Sequence, residues 1–192
     1  MSKKVYLASS SPRRRELLEQ IGVDFELVDA PVEETFLPNE SPESFVIRMA
    51  VEKAFSGFNK VPEKKAWVIG SDTVVLKDGK LFGKPRHKMD AQRMMRALSD
   101  ARHDVLSAVS VVYDGRILSK LSRSEVTFRA VSDAEFEAYW QTGEPEGKAG
   151  GYAIQGLGAK FISQLHGSYS GVMGLPLYEL DQLLAESEFY VD

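Results

Sequence analysis

The chain has no cysteine, so a disulfide framework and a thiolate metal site are both excluded. Its three histidines, His87, His103 and His166, are scattered without ligand spacing, which removes the usual imidazole metal motifs as well. A surplus of basic charge is also missing: 24 Lys and Arg against 28 Asp and Glu leave a net charge of -4 at pH 7. A broad basic face for nucleic acid or for an anionic membrane is therefore not expected, and an anionic ligand has to be met by a local cluster. Long apolar runs are absent too. The one after Met1-Ser2-Lys3-Lys4 is about a strand long, short of a signal-peptide core or a membrane span, so a cytoplasmic protein without a membrane partner is expected. No repeat, low-complexity tract or Pro/Gly-rich linker interrupts the 192 residues. With 43% hydrophobic and 27% charged content they suit one sizeable core, and a single domain over 1–192 is the expectation.

What is present begins with Leu7-Ala8-Ser9-Ser10-Ser11-Pro12-Arg13-Arg14-Arg15. Val5 to Ala8 reads as a buried strand, Ser11 as the N-cap of a helix and Pro12 as its first residue, where a missing N–H costs nothing. The free N–H groups and positive dipole end of that helix face a serine turn, and Arg13 and Arg14 add full charge where the dipole disfavours it. Such an arrangement calls for an anion, and a solvated surface helix with an ordinary cap is the competing reading.

Further along, Asp24 to Val28 reads as a strand, Ser41-Pro42 opens a helix to about Phe58, and Trp67 to Gly70 is a third strand. Asp78-Gly79 joins Thr73–Leu76 to Leu81-Phe82 as a hairpin, and a helix follows from about Met89 to Leu98. Asp114-Gly115 joins Val105–Tyr113 to Arg116–Phe128 in the same way. Asp133 to Trp140 is a helix capped by Ser132, Ala159 to Leu165 a strand, and Pro176 opens a last helix to about Ala185. Strands, helices and hairpins interleave, so the fold class is α/β with a mixed, twisted sheet and flanking helices.

Five segments could carry chemistry. Asp72 interrupts an apolar stretch at the end of, or inside, a strand, and a lone buried carboxylate must be paired, metal-bound or opened to a cleft; closing a tight turn is the alternative. Glu33 and Glu34 follow the second strand, and paired acids there suit a hard cation such as Mg²⁺, although a solvated acidic loop reads the same way. Lys53 lies seven residues after Val46 and four after Met49, on the inward stripe of its helix, aimed at something negative or snorkelling to water. Lys84 is carried on the stiff turn Gly83-Lys84-Pro85. Lys148 to Gly158 fits neither a Walker A loop nor a dinucleotide fingerprint; its glycines allow close backbone approach, Gln155 offers both a donor and an acceptor, and Tyr152 either stacks or packs.

Taken in order, Leu7-Ala8-Ser9-Ser10-Ser11-Pro12-Arg13-Arg14, Glu52-Lys53-Ala54, Gly70-Ser71-Asp72-Thr73, Gly83-Lys84-Pro85, Ile154-Gln155-Gly156 and Gly171-Val172-Met173-Gly174-Leu175-Pro176-Leu177 resemble the Maf family of nucleotide pyrophosphatases across nearly the whole chain. The resemblance implies an α/β fold with a deep cleft, similar to inosine triphosphate pyrophosphatases. It implies hydrolysis of a nucleoside triphosphate between its α- and β-phosphates with a divalent cation, Mg²⁺ or Mn²⁺, and a homodimer. By carry-over, Asp72 is the proton acceptor, while Arg13, Thr73 and Gln155 occupy the specificity positions and resemble the branch acting on dTTP and UTP. The branch acting on methylated GTP resembles Trp, Gln and Glu there. Phosphate contacts fall to Ser9, Arg14, Lys53 and Lys84, and metal contacts to Glu34 and Asp72; Glu33 stands where the family usually has Asp. The family is also associated with inhibition of septum formation, so a nucleotide-binding regulator of cell division with little turnover is the alternative.

Overall fold

The structure, a computed structural model, describes residues 3–191. Among the described residues seven strands, β1 (Val5–Leu7), β2 (Glu26–Leu27), β3 (Trp67–Lys77), β4 (Lys80–Phe82), β5 (Arg102–Tyr113), β6 (Arg116–Phe128) and β7 (Ile162–His166), form one sheet. The described residues also form the α-helices α1 (Pro12–Gln20), α2 (Pro42–Lys60), α3 (Lys88–Leu98), α4 (Asp133–Trp140), α5 (Tyr169–Met173) and α6 (Leu177–Glu186). The hydrogen-bonded strand order is β2-β1-β3-β5-β6-β7, with β4 on β3. β1 pairs parallel with β2 and β3, whereas β3–β4 and β6–β7 are antiparallel, so the sheet is mixed as expected. Among the described residues no helix is long and apolar enough to cross a membrane.

The chain divides into two compact units, one of Met1–Asp72, Ser107–Ser122 and Gly174–Asp192, the other of Thr73–Leu106 and Arg123–Met173. Neither is contiguous, because β3, β5 and β6 each contribute residues to both.

In the first unit, β1 is buried along its whole length, as a strand flanked by parallel neighbours must be. α2 begins as its sequence dictates: Ser41 Oγ accepts from the Ser44 N–H at 3.1 Å, Pro42 takes the first helical position, and Lys60 complements the dipole in the last turn. Its buried face runs through Val46, Met49, Ala50, Ala54 and Gly57, spaced by three and four. Small residues are used because the neighbouring strands press close against this face. A Cβ on Gly57 would lie 2.9 Å from the Val68 side chain and 3.1 Å from that of Ala8. Trp67 stacks on Tyr113, centroids 4.0 Å apart, and its indole N–H reaches both the carbonyl and the hydroxyl of Ser187.

The core of the second unit gathers Phe82, Met94, Met95, Leu98, Phe128, Phe136, Tyr139, Tyr152 and Phe161, with Trp140 packed against it. α4 carries a full capping box between Ser132 and Glu135. α3 is capped by His87, whose Nδ1 accepts from the Asp90 N–H at 3.2 Å. Asp90 is 5% exposed and accepts from Arg93 at 2.8 Å and from the Arg86 N–H at 3.1 Å. The Arg93 bond, then the Arg86 N–H, hold its carboxyl down at about 2 against an ordinary 3.8, with burial opposing them. A depressed carboxyl contributes stability above its unfolded pKa and loses it as pH falls through the folded value. Asp90→Asn is accordingly expected to lower stability by about 2 kcal/mol near pH 7, and the gap from the parent to close by about pH 2, as read from urea midpoints.

Three local expectations are corrected. The two strands placed on either side of Ser71-Asp72 are one, β3. Ser11 occupies the N-cap position, but its side chain makes no capping bond; the Ser9 Oγ accepts the Ser11 N–H instead, at 3.2 Å. Residues 159–161 belong to a 3-10 turn, Leu157–Phe161, and β7 starts only at Ile162.

Candidate active site

Strand alternation places Val68, Gly70 and Asp72 on the face of β3 that meets α2. Gly57 lies against Val68, and Ala50 and Ala54 lie against Gly70 so closely that no Cβ fits there. The same register brings Lys53 to Asp72. Its Nζ donates to Asp72 Oδ1 at 2.6 Å and to Glu34 Oε1 at 2.7 Å, so one ammonium joins the two carboxylates assigned to metal. Asp72 is 7% exposed, while the Glu34 side chain is 44% exposed, so the triplet runs from the buried strand toward solvent. Of the two readings of Lys53, the negative partner is the one the structure shows.

Asp72 is reached through a satisfied neighbour. Ser71, wholly buried, directs its hydroxyl to the carbonyls of Ala108, at 2.8 Å, and Gly174, at 3.1 Å. Gly174 has φ +129, a backbone conformation that side chains disfavour, and its carbonyl also accepts from Arg14 Nε at 2.8 Å. Arg14 Nη1 donates to Ser9 Oγ at 3.2 Å. Burial pushes the Arg14 guanidinium below its ordinary pKa; the charge of Asp72 acts against this, Arg13 adds to it, and Glu34 again opposes. Arg14, in the first turn of α1, thus lies in the field of the two carboxylates. Arg13 is likewise pushed down by burial, with Glu16 opposing.

Arg48, which no motif flagged, fixes the acidic loop. Its guanidinium donates to both carboxylate oxygens of Glu40, at 2.6 and 2.8 Å, to Glu52 at 3.0 Å and to the Thr35 carbonyl at 2.8 Å, and so ties the residue after Glu34 to α2. An arginine followed four residues later by glutamate is an ordinary helical pair, so only the fold reveals its reach back to Thr35.

The second unit holds Thr73, Lys84 and Gln155. Thr73 follows Asp72 on the opposite face of β3. Lys84 is exposed on the bend before α3, and that bend is bonded to the glycine-rich segment through the Gly150 N–H and the Gly83 carbonyl, 3.0 Å. Gln155 is exposed. Tyr152 packs: it is 6% exposed, and its hydroxyl meets His103 Nε2 at 2.8 Å.

The family model described as "Maf-like protein" matches residues 4–187. The chain belongs to the Maf family. A protein of Hydrogenovibrio crunogenus named dTTP/UTP pyrophosphatase is 64% identical over 190 residues, covering 99% of each chain. One of the same name from Alkalilimnicola ehrlichii is 53% identical, covering 96% of this chain and 93% of its own. The fold is similar to that of the Staphylococcus aureus Ham1 protein, with TM-score 0.54 and 17% identity over 98% of this chain and 100% of that one. The Maf motifs therefore acquire local reasons: glycine at 70 admits α2, serine at 71 anchors the strand, and glycine at 174 turns one carbonyl toward two donors.

Proposed function

We propose that the chain hydrolyses dTTP and UTP at the bond between the α- and β-phosphates, giving the nucleoside monophosphate and pyrophosphate. The observation that carries this reading is the Asp72 carboxylate, buried in β3 and paired with Lys53 in the field of Arg14. The names of the relatives support the substrate.

In the proposed reaction Asp72 accepts a proton from the attacking water, the water oxygen bonds to the α-phosphorus, and the bond to the bridging oxygen breaks to release pyrophosphate. Ser9, Arg14, Lys53 and Lys84 hold and neutralise the phosphates, which is most of what phosphoryl transfer asks of a protein. Arg13, Thr73 and Gln155 select the base. Arg13 donates only, which suits the carbonyl oxygens of uracil and thymine and not the amino group of cytosine; Gln155 can serve either an N–H or a carbonyl.

Glu34 and Asp72 fit a divalent cation. They already share one cationic partner, Lys53, and they are hard oxygen donors of the kind that hold Mg²⁺ or Mn²⁺ together with substrate phosphate. Among the described residues no group of three His, Cys, Asp or Glu could hold a metal, so phosphate and water would complete the coordination. Bound there, the cation would offset the charge of the phosphates. We further propose that residues 1–192 act as one catalytic domain, in the cytoplasm, as a homodimer.

Pyrophosphate release from dTTP, UTP, CTP, dATP, GTP and 7-methyl-GTP with Mg²⁺ or Mn²⁺ tests the reading. Turnover confined to dTTP and UTP is expected. Tight nucleotide binding with no turnover on any of them would transfer the assignment to the regulator of cell division.

A further inference from the structure

We propose that Tyr139 and Glu144 are positioning residues for base selection, a pair that fixes the backbone on both sides of Gln155. The inference rests on the reading of Gln155 as a base-selecting residue and adds to it the device that holds the residue in place.

The geometry is confined to the second unit. Glu144 Oε1 accepts from the Tyr139 hydroxyl at 2.7 Å and from the Gly158 N–H at 2.9 Å, and Oε2 accepts from the Leu157 N–H at 2.8 Å. The Tyr139 oxygen accepts in turn from the Ala153 N–H at 3.2 Å. Three backbone amides around Gln155, two positions before it and two and three after it, therefore end on one tyrosine–glutamate pair. Bonds to a carboxylate are among the stronger hydrogen bonds available to a loop. Burial would raise the Glu144 carboxyl, but the bonds from Tyr139, Gly158 and Leu157 outweigh it and hold the group below its ordinary pKa.

The glycines of Gln155-Gly156-Leu157-Gly158 follow from this pair. A Cβ on Gly156 would fall on the Glu144 carboxylate, 2.6 Å from its Cδ, and one on Gly158 would lie 2.7 Å from the Tyr139 hydroxyl. Tyr139 is itself immobilised, 1% exposed and edge-on to Phe161 at 5.1 Å. The turn that aims Glu144 is bonded too: Thr142 Oγ1 donates to the Tyr139 carbonyl at 2.6 Å and accepts from the Glu144 N–H at 3.2 Å. Gln155 thus projects from a backbone fixed to the core, while its own side chain is exposed. An amide side chain discriminates between bases only if its position is fixed, because either end can serve as a partner. Displacement of such a group by about 1 Å is enough to cost a large factor in rate or affinity.

The test is Glu144→Gln, with Tyr139→Phe and Gln155→Glu alongside. The Glu144→Gln amide keeps one acceptor oxygen and turns an N–H₂ toward a backbone N–H. Expected is a rise of about tenfold in KM for dTTP and UTP, a similar loss of preference over CTP, and little change in kcat. Amide exchange at Leu157 and Gly158 should be slow in the parent and about tenfold faster or more in Glu144→Gln. If Glu144→Gln does not fold, Tyr139→Phe, which removes only a hydroxyl, carries the kinetic test, and exchange in the parent stands by itself. A selectivity change in Gln155→Glu with none in Glu144→Gln or Tyr139→Phe overturns the positioning role and leaves the base site intact. Unprotected amides at Leu157 and Gly158 in the parent overturn it as well. Unchanged selectivity in Gln155→Glu removes the base-site reading, and the positioning role falls with it.

Discussion

Asp72→Asn should lower kcat for dTTP and UTP by about a thousandfold while leaving nucleotide affinity within a few-fold. The substitution preserves shape, and the amide oxygen can still accept from Lys53, which keeps its second partner, Glu34. Strand and helix therefore stay in register. What disappears is the capacity to take a proton from water, together with one negative charge of the pair that would hold the cation, so the assay is run at saturating Mg²⁺. A coupled pyrophosphate assay run beside calorimetric titration with dTTP separates the two effects. Retention of more than about a tenth of the parent kcat would remove Asp72 as the proton acceptor and shift attention to Glu34.

The largest structural effect is expected from the smallest change, Gly70→Ala. The new methyl group would sit on the Ala50 carbonyl, 2.5 Å from the Ala54 nitrogen and 2.9 Å from the Ala54 methyl. The first two are backbone atoms of α2 and the third is a methyl fixed to that backbone, so no side-chain rotation relieves the contact; the helix must lift from the strand. The cost should be about 3 kcal/mol, seen as a fall of about 10 °C in Tm. Lifting α2 also draws Lys53 away from Asp72, so kcat should fall further than the stability loss alone explains. A Tm within about 2 °C of the parent would mean that the helix–strand contact yields more easily than its geometry indicates.

What the sequence made legible was what its chemistry decides locally. Ser41-Pro42 and Ser132 start helices because a hydroxyl oxygen and a restrained φ suffice within one turn. Asp78-Gly79 and Asp114-Gly115 turn hairpins because both residues of each pair accept positive φ. The Asp72–Lys53 pairing was half legible, since helical spacing pointed Lys53 inward but could not name what it met. β3 read as two strands because Ser71-Asp72 looks like a break until its partners are known, and these lie 37, 103 and 19 residues away. α5 escaped notice for a related reason: it is a five-residue helix whose start depends on Ser168 Oγ accepting the Gly171 N–H. Arg48 and Glu144 were missed because an ion pair on a helix and a Gly-Glu-Pro turn are common, and their significance lies in backbone groups that neither motif specifies.

The aromatic packing gives the chain a pair of built-in optical reporters. It has two tryptophans, and each unit holds one. Trp67 is 5% exposed against Tyr113 and Ser187 in the first, and Trp140 is partly buried beside Phe136 in the second. Trp67→Phe leaves emission from the second unit alone, and Trp140→Phe from the first. Denaturant melts of the two variants therefore follow each unit through its own fluorescence, and coincidence of that transition with the loss of far-UV circular dichroism in the same variant reads how cooperatively the chain unfolds.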